Sequence, residues 1–193
     1  MHIRPARISD KDAIEQLYLA AFDQSEAAAV AELALEFLGE NSQPACLNLV
    51  ALVNDNNNDN NHNSEAGEPG GPSIVGHISL SPCFEPGSNK LVAYILAPLA
   101  VAPGEQKQGL GSALVKQALV QIKQHCDYIL VYGDPAYYGR FGFNTELGQS
   151  FIPPYPLQFA EGWQALALKP HASSPEQARK FHCLGPLSHA ALW

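Results

Sequence analysis

The sequence has little positive charge. Its 193 residues contain 11 Lys and Arg against 19 Asp and Glu, which gives a formal net charge of −8 at pH 7. Binding to DNA or RNA depends on an excess of basic side chains that neutralise phosphates. The composition therefore excludes nucleic acid as a main partner. An acidic protein can favour a cationic partner, but the same charge also serves ordinary solubility.

Metal-binding and membrane-targeting patterns are also lacking. The four cysteines, Cys46, Cys83, Cys126 and Cys183, are far apart and form no Cys-x-x-Cys motif, so we expect reduced structural thiols and no metal site. No apolar run approaches the length of about 18 residues that a membrane span needs. The opening Met-His-Ile-Arg lacks the apolar core of a signal peptide. We therefore expect a soluble cytoplasmic protein with no membrane partner.

The length and the hydrophobic content of 46% are typical of one globular domain. We place this domain at residues 1–170 and a tail at residues 171–193. The periodicity of the tail is too weak to predict where it packs. The segment 54–72 contains seven Asn, and Ala66 is its only aliphatic residue. Because this segment cannot bury apolar surface, we expect it to be a mobile loop.

The order of the apolar patterns predicts a mixed α/β sheet. Strands are expected at residues 2–6, 47–53, 74–81, 91–101, 127–133 and 163–168. Two amphipathic helices are expected after the first strand, one capped by Ser9 and one that begins at Asp23 or Ser25 and ends at Gly39. A third helix is predicted from Leu110 onwards, where apolar residues recur every four positions.

The most informative segment is Leu99–Ser112, which is typical of a buried strand, a short turn and the start of a helix. The start of a helix carries unpaired N–H groups and a partial positive charge, so it is suited to bind an anion. Gly109 and Gly111 would let a phosphate approach the backbone because neither has a Cβ. The segment therefore predicts a phosphate-binding loop.

Three glycine-rich patterns compete for this loop. A P-loop needs Lys and Ser or Thr after its second glycine, but Leu and Gly follow Gly109. A dinucleotide fingerprint needs a third glycine and, about 20 residues on, an acid, but Leu114 and Ile129 stand there. The third pattern, Gln/Arg-x-x-Gly-x-Gly/Ala, is matched in full by Gln106, Gly109 and Gly111. In this pattern the chain resembles the pyrophosphate loop of the GNAT superfamily of acyl-CoA-dependent N-acetyltransferases.

A second motif, Val131–Phe143, resembles the other GNAT signature, a strand followed by a short helix that ends in Tyr-x-x-x-Gly-Phe. Asp134 is a good N-cap, and Pro135 suits the first helical position. Tyr138 would then lie one turn into the helix, and Gly142 where the chain leaves it. The Gly-Asp-Pro sequence before the tyrosines is similar to that of a smaller, mostly bacterial branch of predicted acetyltransferases. The resemblance covers roughly residues 1–168.

The resemblance implies a mostly antiparallel sheet with flanking helices, in which the fourth and fifth strands splay apart. It implies that acetyl-CoA is the co-substrate, that an amine of a small molecule or a protein is the acceptor, and that Tyr138 is the general acid. The implied cofactor-binding residues are Leu99, Ala100 and Val101 for the pantetheine arm and thioester, and Gln106, Lys107, Gln108, Gly109, Leu110, Gly111 and Ser112 for the pyrophosphate.

Several questions stay open at this point. The position of Tyr138 in the motif favours the acid role, and the alternative is a packing residue in an aromatic cluster. The sequence names no clear general base among Glu26, Glu85 and His77. His77 lies in an apolar strand, which favours a structural role. A non-catalytic acyl-CoA-binding or sensory module is therefore the alternative to an enzyme. Whether the chain forms a homodimer is also left open.

Overall fold

The computed structural model describes residues 1–53, 72–170, 172, 175, 177–189 and 193. Within these ranges six strands form one sheet in chain order. The strands are β1 (His2–Pro5), β2 (Leu47–Val53), β3 (Ser73–Phe84), β4 (Leu91–Val101), β5 (Tyr128–Tyr132) and β6 (Trp163–Ala167). Neighbouring strands are antiparallel except β4 and β5, which are parallel. This confirms the mixed, mostly antiparallel sheet.

Five α-helices flank the sheet in the described part of the chain. They are α1 (Lys11–Ala21), α2 (Ala27–Gly39), α3 (Leu110–Ile122), α4 (Pro135–Tyr138) and α5 (Thr145–Gly148). Alternate residues of β2 point to two separate cores. Leu49 packs in the cluster that holds the buried side of α3, whereas Val50 packs in the cluster that holds α1. The helices therefore cover both faces of the sheet. Among the described residues, no helix has both the length and the apolar character that a membrane span requires.

The strands β4 and β5 pair at only two positions, Tyr94 with Ile129 and Ile95 with Leu130. Farther along β4 the register with β3 shifts, so that Ala97 and Pro98 together stand opposite one residue of β3. This is a β-bulge, which bends the strand and increases its twist. Pro98 also has no N–H to offer a neighbouring strand. These features account for the splay of strands 4 and 5, which is confirmed.

Two predicted helix starts are wrong. Ser9 does not cap α1, because a 3₁₀ turn from Ile8 to Asp10 precedes the helix, and Ser9 is exposed. Asp10 is the residue that organises this turn, as its carboxylate accepts hydrogen bonds from the Arg4 guanidinium at 2.7 and 2.8 Å and from the Arg7 N–H at 2.7 Å. The second helix begins at Ala27, later than expected.

The described residues of the tail pack on the sheet. Phe181, Cys183, Leu187 and Trp193 are buried in one cluster with residues of β4, β5 and β6. His182 forms an antiparallel bridge with Phe84 at the end of β3. The division at residue 170 stays a prediction. The segment 54–72, expected to be mobile, lies outside the described residues apart from Pro72.

Gly148, the last residue of α5, lies against backbone. A Cβ added there would be 2.5 Å from the Trp163 carbonyl oxygen and 3.0 Å from the Gln164 Cα. Because neither atom belongs to a flexible side chain, we expect Gly148→Ala to lower the free energy of unfolding by about 1–3 kcal/mol. Gly39→Ala is the matched control, since nothing lies within 4 Å of its added Cβ, and it should be neutral or stabilising by up to about 1 kcal/mol. Urea unfolding measures both, and equal stabilities would contradict the prediction.

The Arg4–Asp10 pair predicts a pH-dependent contribution to stability. The hydrogen bonds from Arg4, followed by that from the Arg7 N–H, lower the pKa of Asp10 below its usual 3.8. A lowered carboxyl pKa means that the pair stabilises the fold above the unfolded-state pKa and loses this effect as pH falls through the folded-state pKa. We expect Asp10→Asn to lower the free energy of unfolding by about 1–3 kcal/mol at neutral pH. The difference from the wild type should shrink below pH 3.8.

Asp12→Asn is the control for this experiment, because Asp12 is an exposed carboxylate in the first turn of α1. Its loss should change the free energy of unfolding by less than about 1 kcal/mol. Urea unfolding at neutral pH and at about pH 3 compares the three proteins. An Asp10→Asn effect that is the same at both pH values would contradict the prediction.

Candidate active site

The predicted phosphate loop leads from the end of β4 to the start of α3. Two residues in it have left-handed backbone, Lys107 with φ of 61° and Gly109 with φ of 86°. Gly109 is the N-cap of α3, and nothing lies within 4 Å of the position where its Cβ would be. The N–H groups of the first turn of α3 have no helical partners. The loop therefore presents backbone donors next to open space.

The two glutamines of the loop hold its backbone in place. The Gln106 side-chain amide donates to the Val101 carbonyl at 3.1 Å, and the Gln108 amide donates to the Gly104 carbonyl at 2.9 Å. Both bonds close the turn from within. The glutamine at the first position of the motif therefore has a structural role, because Gln106 links the turn to Val101, the last residue of β4.

The two motifs predicted from the sequence meet at Tyr137. The Tyr137 hydroxyl lies at the start of α3, next to Gly111. A Cβ on Gly111 would lie 2.7 Å from that hydroxyl oxygen, so the glycine favours the close approach of α3 and α4. Leu110 is buried and anchors the first turn of α3 in the core. The phosphate loop and the tyrosine helix thus form one continuous surface.

The start of α4 is as predicted. The Asp134 carboxylate accepts the Ala136 N–H at 2.8 Å, and Pro135 occupies the first helical position. The chain leaves the following 3₁₀ turn at Gly142, whose φ is 93°. Arg140 is exposed and donates to the Tyr137 carbonyl at 3.1 Å.

Tyr138 lies in an aromatic cluster. Its ring centroid is 5.0 Å from that of Tyr137 and 5.8 Å from that of Phe143, both in edge-to-face geometry. The ring also covers Gly133, where an added Cβ would be 2.5 Å from it. Burial raises the pKa of the Tyr138 hydroxyl above its ordinary value. The hydroxyl is therefore protonated at neutral pH and able to donate.

The predicted pantetheine residues lie where β4 has left β5. Ala100 is buried in the cluster that holds α1, and Leu99 and Val101 are half-buried against the cluster that holds α3. All three follow the bulge at Ala97 and Pro98. They pair with β3 on one side, so the other edge of this part of β4 faces the gap in the sheet.

The three candidate bases are in different places. Glu85 follows β3 near the start of β4, and its carboxylate is 3.7 Å from the Lys90 ammonium group. It therefore lies away from the splay, which begins after Ile95. His77 is fully buried, and its Nδ1 is 3.0 Å from the Tyr18 hydroxyl. Burial lowers the pKa of His77 to about 3, so its imidazole is neutral. Its Nε2 has no hydrogen-bond partner in the described part of the chain.

Sequence reasoning missed Tyr18. The helix periodicity identified it only as an apolar position of α1, yet its hydroxyl is the partner of His77. Burial raises the pKa of the Tyr18 hydroxyl, and Tyr138 adds a smaller contribution in the same direction. The structure therefore brings Tyr18 and His77 into contact.

Glu26 lines a cavity of about 720 Å³ at the carboxyl end of β5. Tyr132, Phe159, Glu161 and Trp193 line it as well, and none of these four was identified from the sequence. They come from distant segments, so no local pattern could have grouped them. Among the described residues there is no group of three or more His, Cys, Asp or Glu side chains that could hold a metal ion.

Comparison with known sequences gives matches to acetyltransferases. Residues 70–145 match the family model described as an acetyltransferase (GNAT) domain. Over 86 residues the chain is 35% identical to YjhQ of Escherichia coli (strain K12), an uncharacterized N-acetyltransferase. That alignment covers 43% of the chain and 48% of YjhQ, so it spans about half the length of the curated relative.

Solved structures share the fold over almost the whole chain. The GNAT family N-acetyltransferase YhbS from Escherichia coli, crystallised with CoA, has a TM-score of 0.72 at 23% identity, and the match covers 97% of this chain and 92% of YhbS. A GNAT family acetyltransferase from Brucella melitensis, crystallised with acetyl-CoA, has a TM-score of 0.63 at 24% identity, covering 96% and 97%. Residues 70–145 thus match a GNAT acetyltransferase domain, and the chain shares its fold with these two structures.

Proposed function

We propose that the protein transfers an acetyl group from acetyl-CoA to a primary amine. The observation that carries this proposal is the contact between the phosphate loop and the tyrosine helix at Gly111 and Tyr137, beside the gap between β4 and β5. The CoA and acetyl-CoA bound to the two structural relatives support the same co-substrate for this chain.

The loop fits a pyrophosphate. Its N–H groups at the start of α3 are suited to an anion, and the free space at Gly109 admits a phosphate to the backbone. The loop side chains of Gln106 and Gln108 already bond to the backbone and leave these N–H groups to the ligand. We assign residues 106–112 to the pyrophosphate.

The pantetheine arm fits the gap in the sheet. The free edge of Leu99, Ala100 and Val101 can pair with an extended ligand as it would with another strand. A ligand that extends from the α3 loop along this edge passes Val101, Ala100 and Leu99 before it reaches the bulge. Acetyl-CoA supplies an activated acyl group as a thioester. A main-chain N–H near Leu99 or Ala100 would bind the carbonyl oxygen as negative charge develops on it.

Tyr138 is the proposed general acid. As the acceptor nitrogen forms the new C–N bond and the C–S bond breaks, the Tyr138 hydroxyl donates a proton to the sulfur that leaves. The proton lost by the nitrogen passes to solvent water, which in turn reprotonates Tyr138. Burial keeps this hydroxyl protonated at neutral pH. The acceptor must reach the site as a neutral amine, because an ammonium group has no lone pair with which to attack.

A non-catalytic acyl-CoA-binding or sensory module is the second candidate. It is favoured by one observation: within the described residues, His77 is buried with its pKa lowered to about 3, and Glu85 lies at the far end of β4. Neither can accept a proton from an acceptor at the splay. A screen of acetyl-CoA turnover over a panel of amines, read as released thiol, separates the two functions. Turnover supports the enzyme, and CoA binding without turnover of any amine supports the module.

Gly109→Asp tests the loop assignment. The substitution places a negative charge against the pyrophosphate, but it also puts a side chain at a left-handed position, where φ is 86°. Gly109→Asn carries the same backbone strain without the charge and is the matched control. We expect Gly109→Asp to bind CoA at least tenfold more weakly than Gly109→Asn, which is about 1.4 kcal/mol. Calorimetry measures both affinities, and equal values would remove residues 106–112 from the binding site.

Tyr138→Phe tests the general acid. The ring stays packed between Tyr137 and Phe143, so the affinity for CoA should hold, while kcat should fall at least tenfold because a general acid contributes about 10²–10⁴-fold. Tyr137→Phe is the comparison, since it removes the hydroxyl that lies next to Gly111 in the phosphate loop and should weaken CoA binding more than it lowers kcat. Steady-state kinetics and calorimetry separate the two effects. An unchanged kcat for Tyr138→Phe, with chemistry limiting turnover, would leave Tyr138 a packing residue.

A further inference from the structure

The cavity at the carboxyl end of β5 has the size of a small-molecule site. Its volume is about 720 Å³, within the range of about 300–1,000 Å³ found for ligand pockets. The start of α2, the end of β5, the turn before β6 and Trp193 enclose it. Its wall includes Gly133, Asp134 and Pro135, the residues that lead into the helix of Tyr138.

Carboxylates line this cavity from three separate elements. Glu26 precedes α2, Asp134 follows β5, and Glu161 lies in the turn before β6. No Lys, Arg or His lines the cavity among the described residues. None of the ion pairs found in the described part of the chain involves these carboxylates. The cavity therefore carries negative charge that the protein does not itself neutralise.

Aromatic rings lie beside these carboxylates. Phe159 is 64% exposed, although its position is fixed by a hydrogen bond from its N–H to the Tyr132 hydroxyl at 3.0 Å. The Trp193 indole N–H donates to the Leu187 carbonyl at 3.1 Å, which leaves the ring itself to the cavity wall. Aromatic faces attract cations and bury methylene groups. The cavity thus combines surfaces for an alkyl chain with surfaces for positive charge.

Binding of the reacting nitrogen alone does not account for the negative charge of the cavity. That nitrogen must lose its positive charge before it attacks, so carboxylates that favour its ammonium form would oppose the reaction. Uncompensated carboxylates favour a charge that persists through the reaction. On the proposed acetyltransferase function, we therefore infer that the acceptor is a small aliphatic amine with a second cationic group, which this cavity binds while the first amine is acetylated.

The experiment compares two amines of equal chain length, hexamethylenediamine and hexylamine. The protein has two tryptophans, and Trp193, in the cavity wall, has its ring centroid 5.8 Å from that of Trp163, so tryptophan fluorescence reports binding without CoA. We expect the diamine to bind about tenfold more tightly than the monoamine, and the preference to decline at high salt. With acetyl-CoA present, the diamine should also have the lower KM.

The double variant Glu26→Gln/Glu161→Gln tests the carboxylates. Glu26 makes no side-chain cap of α2, so the substitution leaves the helix start intact. The control is Glu32→Gln/Glu36→Gln, which removes the same charge from exposed positions on α2 outside the cavity. We expect the preference for the diamine to fall below about threefold in the first variant and to persist in the second.

Three outcomes would overturn the inference. They are equal binding of the two amines by the wild type, equal loss of preference in both double variants, and diamine binding without acetylation in a protein that binds CoA. A separate calorimetric titration with CoA tests the proposed function. If CoA does not bind, that function fails, whatever the amine titration shows. If CoA binds and the diamine is not preferred, only the inference about the acceptor fails.

Discussion

The separation of β4 from β5 is the constraint on which the rest of the site depends. A central strand normally has both edges paired, because unpaired backbone groups inside a sheet are costly. Here β4 keeps its pairing with β3 throughout, but it leaves β5 after Ile95. The bulge at Ala97 and Pro98 bends the strand, and Pro98 has no N–H to offer a neighbouring strand. The result is a free backbone edge in the middle of the sheet, at the end where the α3 loop and α4 lie.

Local patterns predicted the elements around this gap because each depends on neighbouring residues. Asp134 caps α4 through an N–H only two residues away, so the sequence shows both partners. The helix start near Ser9 was predicted wrongly for the converse reason. Asp10 is held by Arg4, which belongs to β1, and this contact fixes a 3₁₀ turn where the capping pattern indicates an α-helix. A local rule fails where a contact from another element decides the geometry.

The cavity at the carboxyl end of β5, the proposed acceptor site, could not be predicted in this way. Glu26, Asp134, Glu161 and Trp193 share no period and no motif, and only the packing of α2 against the end of the sheet makes them neighbours. His77 is an intermediate case. Its apolar strand correctly indicated burial, but the strand pattern carries no information on the Tyr18 hydroxyl that meets its Nδ1. Side chains that converge from distant segments are visible only in the fold.

The distribution of charge follows from the same geometry. A protein with a net charge of −8 repels a polyanionic co-substrate at long range. The dipole of α3 acts within its first turn, whereas exposed charges are screened over about 10 Å. Backbone N–H groups at the loop can therefore bind a pyrophosphate locally, with Lys107 as the one basic residue among residues 106–112. On the proposed function, the carboxylates of the cavity then give the two substrates binding regions of opposite local charge.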